Sequence, residues 1–412
     1  MMHVRDVAVR HLRSALECLL LVFALLATGS AGATQCGTGT YPFPFTDVAG
    51  VADPFCPGIM ESYVTGVSKG TTPTTFSPSA LVDRTQMTTF LQRSLDQGLR
   101  RGSPRAALGQ WWTSTDVNAM QSVTSVGNPL SCVSDGDSVW VTNSVANTVT
   151  QFAASTGKVA GTWTGATGAG AVLAAAGRVF VTAASNPGQI LLIDPTQSPG
   201  AMTLAATVPG RPVGLAFDGA KLWATNFPSP ATGNGGLSII TVQAALPYPT
   251  TPVTAGLGDL VGIVYDGKNI WVADRTANKL HKLDSAGAIL QTVGLPVRPQ
   301  YIIYDGANLW VTSPQPGPNG SLVVVQASTG AIVASIVADA NNGINAPQAP
   351  SFDGERVLVP SYFSNSVAIF KAADLGLLGK VDVGANSGPT ATCGDGVSTW
   401  VPLSDLGRVV RF

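Results

Sequence analysis

The sequence predicts a mainly β protein, a seven-bladed β-propeller with a small N-terminal helical module, and three observations carry that prediction. A unit of apolar strand, tight turn ending in Gly and second apolar strand recurs seven times, the turn being Asp-Gly in six and Ala176-Gly177 in the second. Its turn glycines, Gly136, Gly177, Gly219, Gly267, Gly306, Gly354 and Gly396, are 41, 42, 48, 39, 48 and 42 residues apart, the length of one four-stranded blade. Only 11% of the 412 residues are charged while Gly (46) and Pro (28) are plentiful, which suits short strands joined by tight turns better than long charged helices. Ahead of the repeats lies one stretch with helical rather than strand periodicity.

Taken in chain order, residues 1–33 open with Arg5, Arg10 and Arg13, continue with an apolar run over 19–26 and end in Ala31-Gly32-Ala33. This is the pattern of a secretory signal with a small-residue cleavage site, expected after Ala33. The apolar run is shorter than the roughly 20 residues a membrane anchor needs, so no stable membrane span is expected once the signal is removed. The mature protein is placed outside the cytoplasm, secreted or at the cell surface. The formal net charge of −1 supplies no basic field for nucleic acid. Beyond the signal remain Cys36, Cys56, Cys132 and Cys393, an even set in an oxidising compartment, whose spacing matches neither a zinc site nor a redox pair.

Residues 41–99 read as a helix, a Gly-rich loop and a second helix. Pro57 opens the first helix, which ends near Gly66. Asp83 can cap the second, with Gln86 at capping-box spacing, and Met87, Phe90, Leu91 and Leu95 form one apolar stripe. The order Phe45-x-Asp47-Val48, Ile59, Tyr63, Gly66-Val67, Gly70, Phe76-x-Pro78, Val82-x-Arg84-x-Gln86-Met87 and Phe90-Leu91-x-Arg93 resembles the S-layer homology (SLH) module. The resemblance implies attachment to an anionic cell-wall polymer through the family's Thr-Arg-Ala-Glu motif. Arg84 matches its Arg, while Asp83, Thr85 and Gln86 stand for the other three. Arg84, Asp83 and Gln86 are therefore the envelope-binding candidates of an SLH-like module. Residues 100–118, with Trp111-Trp112, read as a linker or short helix between domains whose Trp pair is expected to cover an interdomain surface.

Residues 119–412 hold the propeller. Glycine accepts positive φ and Asp bonds local backbone, so each Asp-Gly closes a hairpin. The bulky residue that follows, Trp140, Phe180, Trp223, Trp271, Trp310, Leu358 or Trp400, is expected to fill the wedge between sheets. After Gly396 only two more strands fit, so the segment 119–126 is expected to return as the outermost strand of the last blade and close the ring. Cys132 and Cys393 lie on the inner strands of the first and last blades with opposite parity. They can face each other there, which predicts a disulfide between them and leaves Cys36 with Cys56.

The repeats resemble NHL-type and YVTN-type propellers and the virginiamycin B lyase-like group, over residues 119–412. That resemblance implies the fold more than an activity. The streptogramin lyases of the group use His and Glu with magnesium. Here the mature chain has one histidine, His281, read as solvent-facing on an outer strand between lysines. A Ser-His-Asp triad, a Cys-His pair and a multi-histidine metal site all lack parts, so no catalytic residue, cofactor or metal is assigned. Long loops at 227–236, 314–321 and 341–350 fall on one face, where propellers place binding sites. Asn143, Asn226, Asp274, Ser313 and Ser361 start that face's loops at one repeat-equivalent position and are the propeller-face candidates. The reading is a non-catalytic envelope protein whose partner is a cell-wall or envelope polysaccharide or an envelope protein. The alternative is a secreted lyase or hydrolase acting through clustered carboxylates on the long-loop face.

Overall fold

The computed structural model describes residues 34–41, 44–64, 68, 70–99, 121–125, 127–227, 236–315, 320–339 and 341–412. The signal segment 1–33 and the linker 100–118 with its Trp pair lie outside the described residues. The chain divides into two compact units, Met1–Arg100 and Arg101–Phe412.

The first unit is small, and its few elements are held by side chains that the sequence spaces far apart. A hairpin of Thr34–Cys36 and Gly39–Tyr41 is joined by the Cys36–Cys56 disulfide to the start of helix α1, Cys56–Val64. Phe45, Val48, Cys56 and Ile59 form the core with Tyr63 and Phe76 against it, and the Phe45 ring meets Tyr63 edge-on at 5.2 Å. Asp47 carries the fold across 30 residues: its carboxylate accepts the backbone N–H groups of Phe76 at 2.8 Å and Ser77 at 2.7 Å. Gly70 has φ +81°, and a Cβ there would run into the Phe45 ring and the Thr75 carbonyl, so only glycine fits. Helix α2, Arg84–Leu99, begins with a reciprocal capping box. Asp83 accepts the Gln86 N–H at 2.8 Å, and the Gln86 side chain accepts the Asp83 N–H at 3.0 Å.

The second unit is a ring of seven antiparallel four-stranded sheets. Blades 1 to 6 take their strands in chain order from the central channel outward, over residues 129–164, 172–208, 211–253, 260–294, 301–337 and 351–382. Blade 7 takes Cys393–Gly394, Thr399–Leu403 and Arg408–Arg411, then adds Gln121–Ser125 as its outermost strand, paired with Arg408–Arg411. The expected ring closure is thus present. Cys132–Cys393 is a disulfide that joins the first strands of blades 1 and 7, and the same seam holds Arg411, whose guanidinium donates to the Ala154 carbonyl at 2.8 Å and lies over the Trp400 ring.

Each repeat residue has a physical task. In five blades the turn aspartate uses one oxygen for the N–H groups two and three residues on, as Asp305 does for Ala307 and Asn308. Its other oxygen accepts the indole N–H of the buried tryptophan five residues on: Asp135–Trp140, Asp218–Trp223, Asp266–Trp271, Asp305–Trp310 and Asp395–Trp400, at 2.7–2.8 Å. The wedge-filling tryptophans are therefore also tied to their own turns. Two blades depart from this, each consistently. In blade 6 Leu358 stands in the tryptophan position, and Arg356 donates to the second oxygen of Asp353 instead. In blade 2 the turn is the two-residue Ala176-Gly177, with φ +51° and +69°. That is a tight hairpin needing no aspartate, and the following aromatic, Phe180, has no N–H to satisfy.

Threonines of the second strands tie one blade to the next. Thr142 donates to the Gly170 carbonyl and Thr225 to that of Val261. The first strands meet closely there, since a Cβ on Gly214 or Gly262 would strike the backbone of the next blade.

Candidate functional site

The five polar residues that end the second strands, Asn143, Asn226, Asp274, Ser313 and Ser361, are all buried. They point into the blades. Asn143 donates to the hydroxyls of Thr148 and Thr150, and Asn226 to that of Ser238. Asp274 accepts the N–H groups of Gly258 and Ala277 and faces His281, with Oδ2 and Nε2 3.7 Å apart. The hydroxyls of Ser313 and Ser361 have no hydrogen-bond partner among the described residues. None of the five lines the central cavity.

His281, expected on the surface, is instead 4% exposed. It sits on the third strand of blade 4, Lys279–Leu283, hydrogen-bonded on both edges and covered by neighbouring blades on both faces, so alternation between lysines does not expose it. Its Nδ1 meets the Thr292 hydroxyl at 3.0 Å. Burial pushes the imidazole below its ordinary pKa, with Asp274 opposing the shift, which favours the neutral ring. Lys282, three places from the exposed Lys279, lies over the Trp271 ring and donates to the Ala327 carbonyl.

The channel of the ring holds a cavity of about 540 Å³, lined largely by the first strands of the blades. Its charged and polar side chains gather at the ends of the blades opposite the Asp-Gly turns. Arg211 opens the first strand of blade 3 and pairs in the ladder with Phe227. Arg275 follows the second strand of blade 4, Ile270–Asp274, while Gln300 and Tyr301 open blade 5. This is the face expected from the long loops, of which 228–235 and 316–319 lie outside the described residues; Ile344 and Ala346 anchor the third loop by burial.

Among the described residues, the only charged side chains lining this cavity are Arg211 and Arg275, and no carboxylate does so. The described lining therefore supplies no carboxylate cluster of the kind that a lyase or hydrolase reading requires. Arg275 stacks on Phe227, its guanidinium 4.7 Å from the ring centre, and its Nε stands 3.5 Å from Asp259. That Nε has no hydrogen-bond partner among the described residues. Tyr301 is partly buried, and desolvation holds its hydroxyl above the usual tyrosine pKa, with Gln300 and the Arg275 charge pulling partway back. Sequence reasoning missed these residues because they sit outside the repeat. The available signal was two arginines, at a strand start and just past a strand end, in a chain so poor in charge.

In the first unit Arg84 stands exposed on the first turn of α2. Its neighbours Asp83 and Gln86 are engaged with each other in the capping box, and the Thr85 hydroxyl donates to Asp83 and, with the Gln86 N–H, holds its carboxyl below the usual range. Met87 and Leu91, from the apolar stripe of α2, are exposed as well.

Residues 44–88 match the S-layer homology domain, which supports an association with the cell envelope. No curated protein matches the chain. The propeller is similar to solved structures. A virginiamycin B lyase from Staphylococcus aureus shares 17% identity and a TM-score of 0.58, over 71% of this chain and 98% of that one. A streptogramin B lyase structure shares 15% and 0.57, over 71% and 96%. The β-propeller domain of Myceliophteria thermophila Cps50 (Swd1) shares 10% and 0.55, over 71% and 97%. At these identities the likeness concerns the fold alone. No helix among the described residues is long and apolar enough to cross a membrane.

Proposed function

We propose that this is an exported cell-envelope protein in which residues 41–99 attach to a wall or envelope polysaccharide, or to an envelope protein, while the propeller presents its long-loop face as a non-catalytic binding surface. The observation that carries the reading is the S-layer homology match over 44–88 on the same chain as a seven-bladed ring. Arg84 is the attachment residue of choice, since an exposed guanidinium on a first helical turn can form charge-assisted bonds to an anionic polymer. Asp83 and Gln86 support it by fixing that turn. On the propeller, the buried Asn143, Asn226 and Asp274 act by bonding the strand ends from which the face is built, with Ser313 and Ser361 buried at the equivalent positions.

The test is a pull-down on native envelope material, comparing the full mature protein, the 34–118 fragment and the propeller 119–412. Retention that requires 34–118 and falls in Arg84→Ala supports attachment through this module. Retention by the propeller alone overturns it.

A further inference from the structure

We infer that the mouth of the central channel binds a small organic anion, a carboxylate or phosphate on an apolar body, held between Arg211 and Arg275. The inference rests on the long-loop face being the binding surface and gives that surface a ligand class.

The charge pattern comes first. In a chain of net charge −1 with 11% charged residues, the charged side chains lining the cavity among the described residues are two arginines without a lining carboxylate. Asp259 offsets the charge of Arg275, whereas Arg211 is exposed with no ion pair among the described residues, so the mouth keeps an uncompensated cation that favours an anion and repels a cation.

The hydrogen bonding points the same way. A guanidinium carries five donors; the Nε of Arg275 is buried beside Asp259 at 3.5 Å, which leaves the terminal N–H groups of the fork for a ligand. Stacking on Phe227 fixes the plane of the fork, which lowers the ordering cost of a planar two-point contact. Arg211 is exposed and has no side-chain hydrogen bond or ion pair among the described residues. Tyr301 keeps its proton and so can donate.

The walls supply the rest of the ligand's description. Val213, Leu215 and Ile303 line the cavity and are only partly buried, leaving apolar surface for a hydrocarbon body. A volume of about 540 Å³ falls among small-molecule sites.

The experiment is isothermal titration of the full-length protein with 4-phenylbutyrate, phenyl phosphate and the uncharged 4-phenylbutyramide. Saturable binding of at least one anion is expected, weakened by salt, with none by the amide. Whichever anion binds more tightly identifies the head group. Arg211→Ala and Arg275→Gln should each weaken binding by about tenfold or more, whereas Lys268→Ala, on an Asp-Gly turn, should leave it unchanged. Arg211 is exposed, so its variant reports on binding even if Arg275→Gln perturbs folding. Equal binding of the amide, no saturable binding of either anion, or binding unchanged in both arginine variants overturns the proposal. Loss of binding in Lys268→Ala with both arginine variants intact overturns the long-loop reading along with it. Envelope retention is scored on other residues, so its failure is told apart from failure here.

Discussion

On the Asp-Gly side of the ring, five blades close with the same bond, indole N–H to turn carboxylate at 2.7–2.8 Å. At the opposite ends, the equivalent positions hold Asn, Asn, Asp, Ser and Ser, with partners that change from blade to blade. The first side is under one geometric constraint repeated around the ring, and its two exceptions replace the tryptophan together with the turn in blade 2 and with the partner of the turn aspartate in blade 6. The second side is free of that constraint, and it is where Arg211, Arg275 and Tyr301 meet at the cavity. The difference teaches that repetition in this chain marks construction, while departure from it marks the surface open to a ligand.

The largest effect should come from the constrained side. Trp310 is fully buried against Phe370, with ring centres 6.0 Å apart, so Trp310→Ala should cost about 3–5 kcal/mol in denaturant unfolding through the cavity it leaves. A cost close to zero would mean that the tryptophans are not the wedges of the ring.

Next in size is the bond itself. Trp310→Phe keeps most of the wedge and takes the indole donor away from Asp305, itself 2% exposed; a loss of about 1–3 kcal/mol is expected. Blade 6 suggests the repair: Asn308 occupies the place that Arg356 holds there, three residues after the turn aspartate. Adding Asn308→Arg should recover part of the loss, and a double variant no more stable than the single one would break the claim that an arginine at this place can stand in for the indole.

The repeat, the ring closure and the Cys132–Cys393 pair were legible in the sequence because each is a consequence of spacing and strand parity, and Cys36–Cys56 followed by elimination. So was the α2 capping box, which needs only Asp83 and Gln86 at the right separation. The indole bond went unread although Asp and Trp recur five apart, since turn and core were treated as separate tasks. The placement of His281 failed because local alternation describes a strand with one wet face, whereas a third strand in a propeller has none. The cavity arginines share one lining only through the packing of blade 3 on blade 4, one at a strand start and the other just past a strand end, and no local pattern encodes that sharing.

His281 offers a smaller test on the less constrained side. Its folded pKa lies below the ordinary 6.5, so below about that pH the unfolded chain binds a proton that the folded ring resists. The histidine's contribution is therefore fully present above pH 6.5 and is lost as pH falls toward the lowered folded value. One proton sets the limit of the slope, about 1.4 kcal/mol per pH unit. Unfolding free energies measured from pH 7.5 down to 5 should decline by no more than this on account of His281, and His281→Gln should remove the decline. An identical slope in the variant would assign the acid sensitivity to other groups.

The smallest stability effect should belong to one of the two residues on which binding depends. Arg211 is exposed and has no side-chain hydrogen bond or ion pair among the described residues, so Arg211→Ala should change stability by no more than about 0.5 kcal/mol. A side chain that builds the ring, as Trp310 does, cannot be removed so cheaply, whereas one kept for a ligand can. If the variant loses several kcal/mol instead, Arg211 belongs with the structural repeat, and the division between a constructed side and an open side no longer holds at the channel mouth.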